Sequence, residues 1–293
     1  MKKEEKKAEK SFTPMMEQYL EVKKKHPDLI ILFRLGDFYE MFFDDAVLAS
    51  KELQLYLTSK SAGVKDKVPM CGIPHHAYLS YVQKLLDNGH KVGIVEQLED
   101  PKKAKGIVKR DVVQIITPGA NLDVEGNDHN YIATVVDCSY SYIVAYSDLS
   151  TGDLEVVNVN HTYEDVLSAL VNYEVKEVVL STSIDAKLVE IIHSNTKICI
   201  SYSNSDQVDI SFEPLFKYLK DERQIIAVSK LMNYLLLTQK RSLDYFKPAV
   251  NRVSNKYLKL DHSTKTNLEL VKSLNGDGTY GSLYWLLNAT STP

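Results

Sequence analysis

The chain has 293 residues, 44% of them apolar and 25% charged. That is length for about two domains of roughly 150 residues each, with the composition of an ordinary globular protein. It excludes wholesale disorder, a collagen-like repeat and a disulfide scaffold, and no apolar run approaches the roughly 20 residues of a membrane span. The net charge of −4 is uneven: residues 1–125 carry 20 Lys+Arg against 19 Asp+Glu, and the remainder 15 against 20. Any nucleic-acid contact must therefore rest on local patches and not on the overall field. Cys71, Cys138 and Cys199 lie far apart, which fits a reducing cytoplasm with inert thiols.

Residues 1–10, a run of Lys, Glu and Ala, read as a disordered, solvated tail and not as a secretory signal. Thr13-Pro14 starts a helix, with Pro at the first helical position, and His26-Pro27 stops it. Leu29–Leu35 is a buried strand. Gly36-Asp37 turns the chain, and a helix from Phe38 to about Leu53 is expected, with Asp37 and Glu40 as its capping box. Strand-like Leu55–Thr58 and Val68–Cys71 follow, then a helix from about His76 to Asn88 closed by Gly89. Strands Lys91–Leu98 and Val112–Ile116 complete an α/β domain with a mixed sheet, residues 11–120.

Asn121 to Asn130 read as a linker. Three closely spaced strands come next, Tyr131–Val136, Tyr142–Asp148 and Leu154–Asn158, an antiparallel meander. Helix and strand then alternate: Tyr163–Asn172, Glu177–Leu180, Ala186–His193 and Lys197–Tyr202. Two helices, about Glu213–Leu219 and Glu222–Gln239, close a second α/β unit, 131–247, that resembles the ribonuclease H-like fold. Residues 248–293 offer a strand Tyr257–Leu260, a helix Ser263–Leu274 and a last helix Leu283–Leu287. They are too few for a stable domain of their own, and Thr292-Pro293 is a helix-start signal with no helix after it, as expected of an interrupted chain.

Several motifs invite a chemical reading. Gly276-x-Gly278-x-x-Gly281 spells a dinucleotide fingerprint, but that motif needs a strand before it, and here a helix precedes it. Cys71, His75 and His76 lack a fourth ligand for zinc and read better as the opening of a helix after Pro74. Asp137, Asp148 and Asp153 lie at strand ends; clustered, they would hold Mg²⁺ for phosphodiester cleavage, and dispersed they are ordinary turn carboxylates. Lys102, Lys103, Lys105, Lys109 and Arg110 put five positive charges in nine residues, either a solvated loop or a set of phosphate contacts. Gly36-Asp-Phe-Tyr-Glu-Met-Phe42 is the most informative stretch. Phe38, Tyr39, Phe42 and Phe43 are too many aromatics for one buried helical stripe. At least one must point outward at the tip of a turn, which is what a base-step wedge requires.

Five blocks, in order and spacing, resemble the mismatch-recognition domain of the MutS family of DNA mismatch-repair proteins. They are Thr13-Pro-Met-Met-Glu-Gln-Tyr-Leu20, Gly36-Asp-Phe-Tyr-Glu-Met-Phe42, Val68-Pro-Met-Cys-Gly-Ile-Pro-His-His-Ala77, Val95-Glu-Gln-Leu-Glu-Asp-Pro101 and Ile116-Thr-Pro-Gly119. Leu260-Asp-His-Ser-Thr-Lys-Thr-Asn-Leu-Glu-Leu270 is similar to the start of that family's helical lever domain. The resemblance implies that Phe38 wedges beside a mispaired base from the minor groove and that Glu40 hydrogen-bonds that base. Lys60 and Met70 match positions near the kinked DNA; Lys60 stands where some relatives carry Arg, so a single phosphate contact is implied and a bidentate one is not.

The second unit then corresponds to a connector that transmits and does not cut, and 248–293 to the first helices of an α-helical lever domain. The implied partner is double-stranded DNA with mismatches or small insertion loops. A homodimer, a MutL-type repair partner, and bound ATP and Mg²⁺ are implied for the full-length family, in a bacterial cytoplasm and on the nucleoid when DNA-bound. No GxxxxGK[ST] loop occurs in these residues, so no cofactor, resident metal or catalytic residue is expected of this chain itself. Two other readings stay open: a metal-dependent ribonuclease H-like nuclease using Asp137, Asp148 or Asp153, and a non-catalytic protein–protein connector.

Overall fold

A computed structural model describes residues 12–64, 66–99, 107–121, 130–240, 242–252, 260, 264, 267–274 and 278–288. The chain divides into two compact units, one formed by the residues before 129 with a return segment Leu235–Leu243, the other by 129–234 and the residues from 244 on. Among the described residues, no helix is long and apolar enough to cross a membrane.

The first unit runs α1 (Pro14–Lys25), β1 (Leu29–Leu35), β2 (Phe38–Phe42), α2 (Phe43–Glu52), β3 (Thr58–Lys60), β4 (Val68–Pro74), a 3-10 turn His75–Ala77, α3 (Tyr78–Asp87), β5 (Lys91–Gln97) and β6 (Arg110–Ile116). Its six strands form one mixed sheet in the order β3-β4-β2-β1-β5-β6. Only β1 and β5 pair in parallel; the other neighbours are antiparallel. Residues of β1 alternate between two cores, so the strand reads as one apolar run buried on both faces. Leu29, Ile31 and Phe33 meet Met16, Tyr19 and Val22 of α1. Ile30 and Leu32 meet Ala46, Ala49, Val82 and Leu85 of α2 and α3 on the other side.

The expected helix from Phe38 is corrected here. Gly36, at φ +60, and Asp37 form a two-residue hairpin loop, with Leu35 and Phe38 as the first Cα partners across it. Gly in the first loop position favours a hairpin whose twist matches its strands. Phe38–Phe42 therefore pairs with β1 and β4, and Asp37 and Glu40 form no capping box. The helix starts only at Phe43, whose φ of +53 turns the strand into α2.

The second unit contains β7 (Tyr131–Asp137), β8 (Ser141–Asp148), β9 (Asp153–Asn160), α4 (Tyr163–Asn172), β10 (Glu177–Leu180), α5 (Ala186–Asn195), β11 (Cys199–Tyr202), a 3-10 segment Ile210–Phe216, α6 (Glu222–Gln239) as far as Tyr234, β12 (Val250–Asn251) and α7 (Leu283–Leu287). The sheet order is β11-β10-β7-β8-β9-β12. β7, β8 and β9 form the antiparallel meander, and β10 and β11 extend it in parallel beside β7. A meander with parallel strands added at its first strand is the arrangement of the ribonuclease H-like fold. Thr162 and Asp185 cap α4 and α5, accepting from the backbone N–H groups of Asp165 and Lys187 at 3.2 and 2.9 Å. Leu188 and Ile192 of α5 and Val166 and Leu170 of α4 pack on Val135, Val144 and Val178.

Three further expectations change. The helix placed at Glu213–Leu219 is a 3-10 segment three residues earlier, with Pro214 inside it. The short β12, which pairs in parallel with β9, was not anticipated. The helix placed at Ser263–Leu274 is not continued past Asn267: the chain turns from Leu268 on, with Glu269 at φ +47. Residues 1–11, the linker residues 122–129, Tyr257–Lys259 and Ser263, Lys265 and Thr266 lie outside the described residues.

Candidate nucleic-acid interface

The β1–β2 hairpin presents its residues alternately to the two faces of the sheet. Tyr39 and Met41 are buried against α2 and α3, and Phe42 is buried against α1. Phe38, first residue of β2 and beside the loop, is 50% exposed. The outward aromatic required by the sequence is thus Phe38, placed outward by a strand period of two and not by the surface of a helix.

Glu40 is two residues further along the same face. Its Cα partners are Phe33 on β1 and Gly72 on β4, while Phe38 faces Pro74 and Phe42 faces Met70. Gly72 leaves the place beside Glu40 without a side chain: a Cβ there would lie 3.6 Å from the Glu40 Cγ. The Glu40 side chain is 17% exposed, and its Oε2 accepts from Lys60 Nζ at 2.5 Å. Lys60 Nζ also lies 5.7 Å from the centroid of the Phe42 ring. Met70, half-buried, packs with the α1-side core. Phe38, Glu40, Lys60 and Met70 therefore share one face of the β3-β4-β2 corner of the sheet.

The hairpin tip is fastened from the opposite face by residues that the sequence did not single out. The His75 N–H donates to the Asp37 carbonyl at 2.8 Å. The Tyr39 hydroxyl donates to Glu96, and Arg34 sits 3.6 Å from the same carboxylate with its guanidinium 5.5 Å from the Tyr39 ring centroid. Tyr39 also packs against His75 and Tyr78, with ring centroids 5.4 and 5.2 Å apart. Burial, then the bond to Glu96, pushes the Tyr39 hydroxyl well above its ordinary value. Arg34 opposite Tyr39, one residue back from Leu35 and one on from Phe38, is the signal a hairpin reading of Gly36-Asp37 would have exposed.

The basic segment divides. Lys102, Lys103 and Lys105 lie outside the described residues. Lys109 is exposed. Arg110, first residue of β6, is engaged: it donates to the carbonyls of Arg34 and Val108 at 3.0 and 3.1 Å and to Gln18 at 3.3 Å. Its guanidinium lies 5.3 Å from the Phe33 ring centroid, and burial lowers its pKa. Arg110 belongs to the fabric of the sheet.

The three carboxylates of the second unit do not meet. Asp148 faces Asp153 across β8–β9, whereas Asp137 faces Tyr142 at the other end of the ladder, roughly 20 Å along the strand. Asp148 is fully buried and accepts from the backbone and hydroxyl of Ser150 at 2.9 and 2.6 Å. Asp153 pairs with Lys247 at 2.9 Å, and Asp137 with His161 at 3.0 Å. Among the described residues no group of three His, Cys, Asp or Glu could hold a metal ion. Cys71 is buried and directs its thiol to the Ala46 carbonyl, and burial pushes that thiol up to about 11. Gly278 and Gly281 lie at a bend and a turn, with no strand just before them among the described residues, and Gly276 lies outside the described residues.

Comparison with known proteins gives two family matches: MutS domain I over residues 13–125 and MutS domain II over 130–247. The chain is 41% identical over 285 residues to the DNA mismatch repair protein MutS of Bacillus cereus (strain G9842), covering 96% of this chain and 32% of that protein. It is 40% identical to those of Geobacillus sp. (strain WCH70) and Oceanobacillus iheyensis, each covering 96% of this chain and 33% of the relative. The chain spans about a third of the length of the curated relatives it matches.

Proposed function

The chain belongs to the MutS family of DNA mismatch-repair proteins, and we propose from this that its first unit binds duplex DNA at a mispaired or unpaired base by inserting Phe38 beside that base. The observation that carries the reading is the half-exposed Phe38 at the tip of a hairpin whose other aromatics are buried. Stacking a base on an aromatic is worth about 1–3 kcal/mol and does not depend on which base is offered. The opposing cost is unstacking a base step, which is smallest where pairing is already broken. Discrimination therefore comes from deformability of the DNA more than from reading base edges. A hairpin held on its far face by Glu96, Tyr39 and His75 suits this task, because a wedge that yields cannot kink a duplex.

Glu40, beside Phe38, accepts a hydrogen bond from the displaced base, and Met70 contributes apolar surface on the same face. Lys109 is a candidate phosphate contact, with Lys102, Lys103 and Lys105. The second unit serves as a non-catalytic connector. The residues present do not fit ATP, since no GxxxxGK[ST] loop occurs in the sequence. Nucleotide binding and hydrolysis with Mg²⁺, homodimer formation and a MutL-type partner are assigned to the remainder of a full-length cytoplasmic protein.

The test is a competition titration of a full-length protein carrying this chain, with a duplex containing one unpaired base against its matched counterpart. Preference for the defective duplex supports the reading; equal affinity for both contradicts it.

A further inference from the structure

Lys60 is on β3, the edge strand of the first sheet, and Glu40 is two strands away on β2. The Cα partner of Lys60 on β4 is Val68, whereas that of Glu40 is Gly72. The two positions are thus offset along β4 by four residues, roughly 13 Å. The Lys60 and Glu40 side chains close this offset between them, with Lys60 Nζ over the Phe42 ring and 2.5 Å from Glu40 Oε2. A lysine serving only phosphates gains most by extending into solvent, where its charge is mobile and hydrated. This one is drawn back across an apolar floor to a single carboxylate.

We infer that Lys60 is the counter-charge and positioning residue of Glu40, and not a phosphate contact. This rests on the reading of Phe38 and Glu40 as the mismatch contact. A carboxylate brought among phosphates is repelled, and Coulomb energies grow as water is excluded. With Lys60 attached, the pair enters the groove with no net charge, and Glu40 Oε1 is left to accept from a base while Oε2 is held. Lys60 thereby sets how well the site tolerates a defect in the duplex, without touching the backbone of the DNA. A phosphate contact acts otherwise, weakening all duplexes alike when removed.

The experiment is a double-substitution cycle in a full-length protein carrying this chain, with Lys60→Met, Glu40→Gln, both together, and Lys60→Arg. Each variant is titrated with a duplex bearing one unpaired base and with the matched duplex at several salt concentrations, and its melting is recorded. Lys60→Met is expected to cost about tenfold in affinity for the defective duplex and less for the matched one, a coupling in the usual range for paired charges. Adding Glu40→Gln should recover most of that loss and restore the salt slope of the unsubstituted protein. Lys60→Arg, which keeps the charge, should bind as the unsubstituted protein does. If Lys60→Met lowers the melting temperature, Lys60→Gln takes its place. The inference is overturned if Lys60→Met costs the same on both duplexes, with or without Glu40→Gln, and flattens the salt slope by about 0.9 in each case. An unsubstituted protein with no preference for the defective duplex defeats the underlying reading and this inference with it. Preference with an additive cycle defeats this inference alone.

Discussion

Tyr19 donates its hydroxyl to Asp45 at 3.0 Å, tying α1 to the first turn of α2 beneath the strand that carries Phe38. Asp45 also accepts from the Ile31 N–H at 3.1 Å and from Lys23 at 2.8 Å. A single carboxylate thus holds α1, β1 and α2 together, and both Tyr19 and Asp45 are buried. Asp45→Ala leaves the buried Ile31 N–H unpaired, at about 1–3 kcal/mol, and removes the Lys23 ion pair as well, while Tyr19 keeps its bond to the Phe42 carbonyl at 3.1 Å. Tyr19→Phe removes the hydroxyl shared between Asp45 and the Phe42 carbonyl and leaves Asp45 its other donors, for a cost near 1 kcal/mol. Calorimetric melting should place Asp45→Ala well below Tyr19→Phe; equal effects would show that Asp45 is not the hub.

The same pair sets an alkaline limit. Burial, then the neighbouring Asp45, raises the Tyr19 hydroxyl above its ordinary value. A raised folded pKa means stabilisation that is complete below the ordinary tyrosine value of about 10 and is lost as pH rises through the folded one. The gap in stability between Tyr19→Phe and the unsubstituted protein should therefore narrow in strong alkali. A gap that stays constant through that range would remove Tyr19 from the alkaline transition.

Arg110 and Lys109 are adjacent in sequence and should behave oppositely. Arg110→Met loses bonds to Arg34, Gln18 and Val108 together with its contact on Phe33, and should cost about 1–2 kcal/mol of stability. Lys109→Ala should leave melting unchanged and flatten the salt slope of DNA binding by up to about 0.9. Melting loss at Lys109, or a slope change at Arg110 without melting loss, would reverse the two assignments.

These contrasts mark what the amino-acid sequence discloses. α4, β10 and α6 have the expected bounds, because Thr162 and the apolar spacing of each segment act locally. Phe38–Phe42 was harder: its aromatics fit either period, and only pairing with β1 and β4 decides for the strand. The outward aromatic was legible from crowding alone, although the element carrying it was not. Glu40 and Lys60 are twenty residues apart in sequence, and no local pattern reveals their bond. Arg110 read as one more mobile cation because the ring it covers, Phe33, comes from a distant strand.

Cleavage chemistry gives a separate test of the second unit. With Asp137 at the far end of the ladder from Asp148 and Asp153, no shared metal site forms among them. Added Mg²⁺ or Mn²⁺ should leave DNA, RNA and hybrid duplexes intact. Metal-dependent cleavage that disappears on Asp148→Asn would replace the connector reading with a nuclease.

The wedge itself is tested most directly by Phe38→Ala in a full-length protein carrying this chain, titrated with defective and matched duplexes side by side while melting is recorded. Removal of the stack should cost about 1–3 kcal/mol of binding to the defective duplex. Binding to the matched duplex should change much less, since a paired step resists unstacking. Melting should hardly move, because a half-exposed ring buries little on folding, whereas a core Phe→Ala costs about 3–5 kcal/mol. A large fall in melting temperature with unchanged preference for the defective duplex would contradict the wedge and return Phe38 to the core.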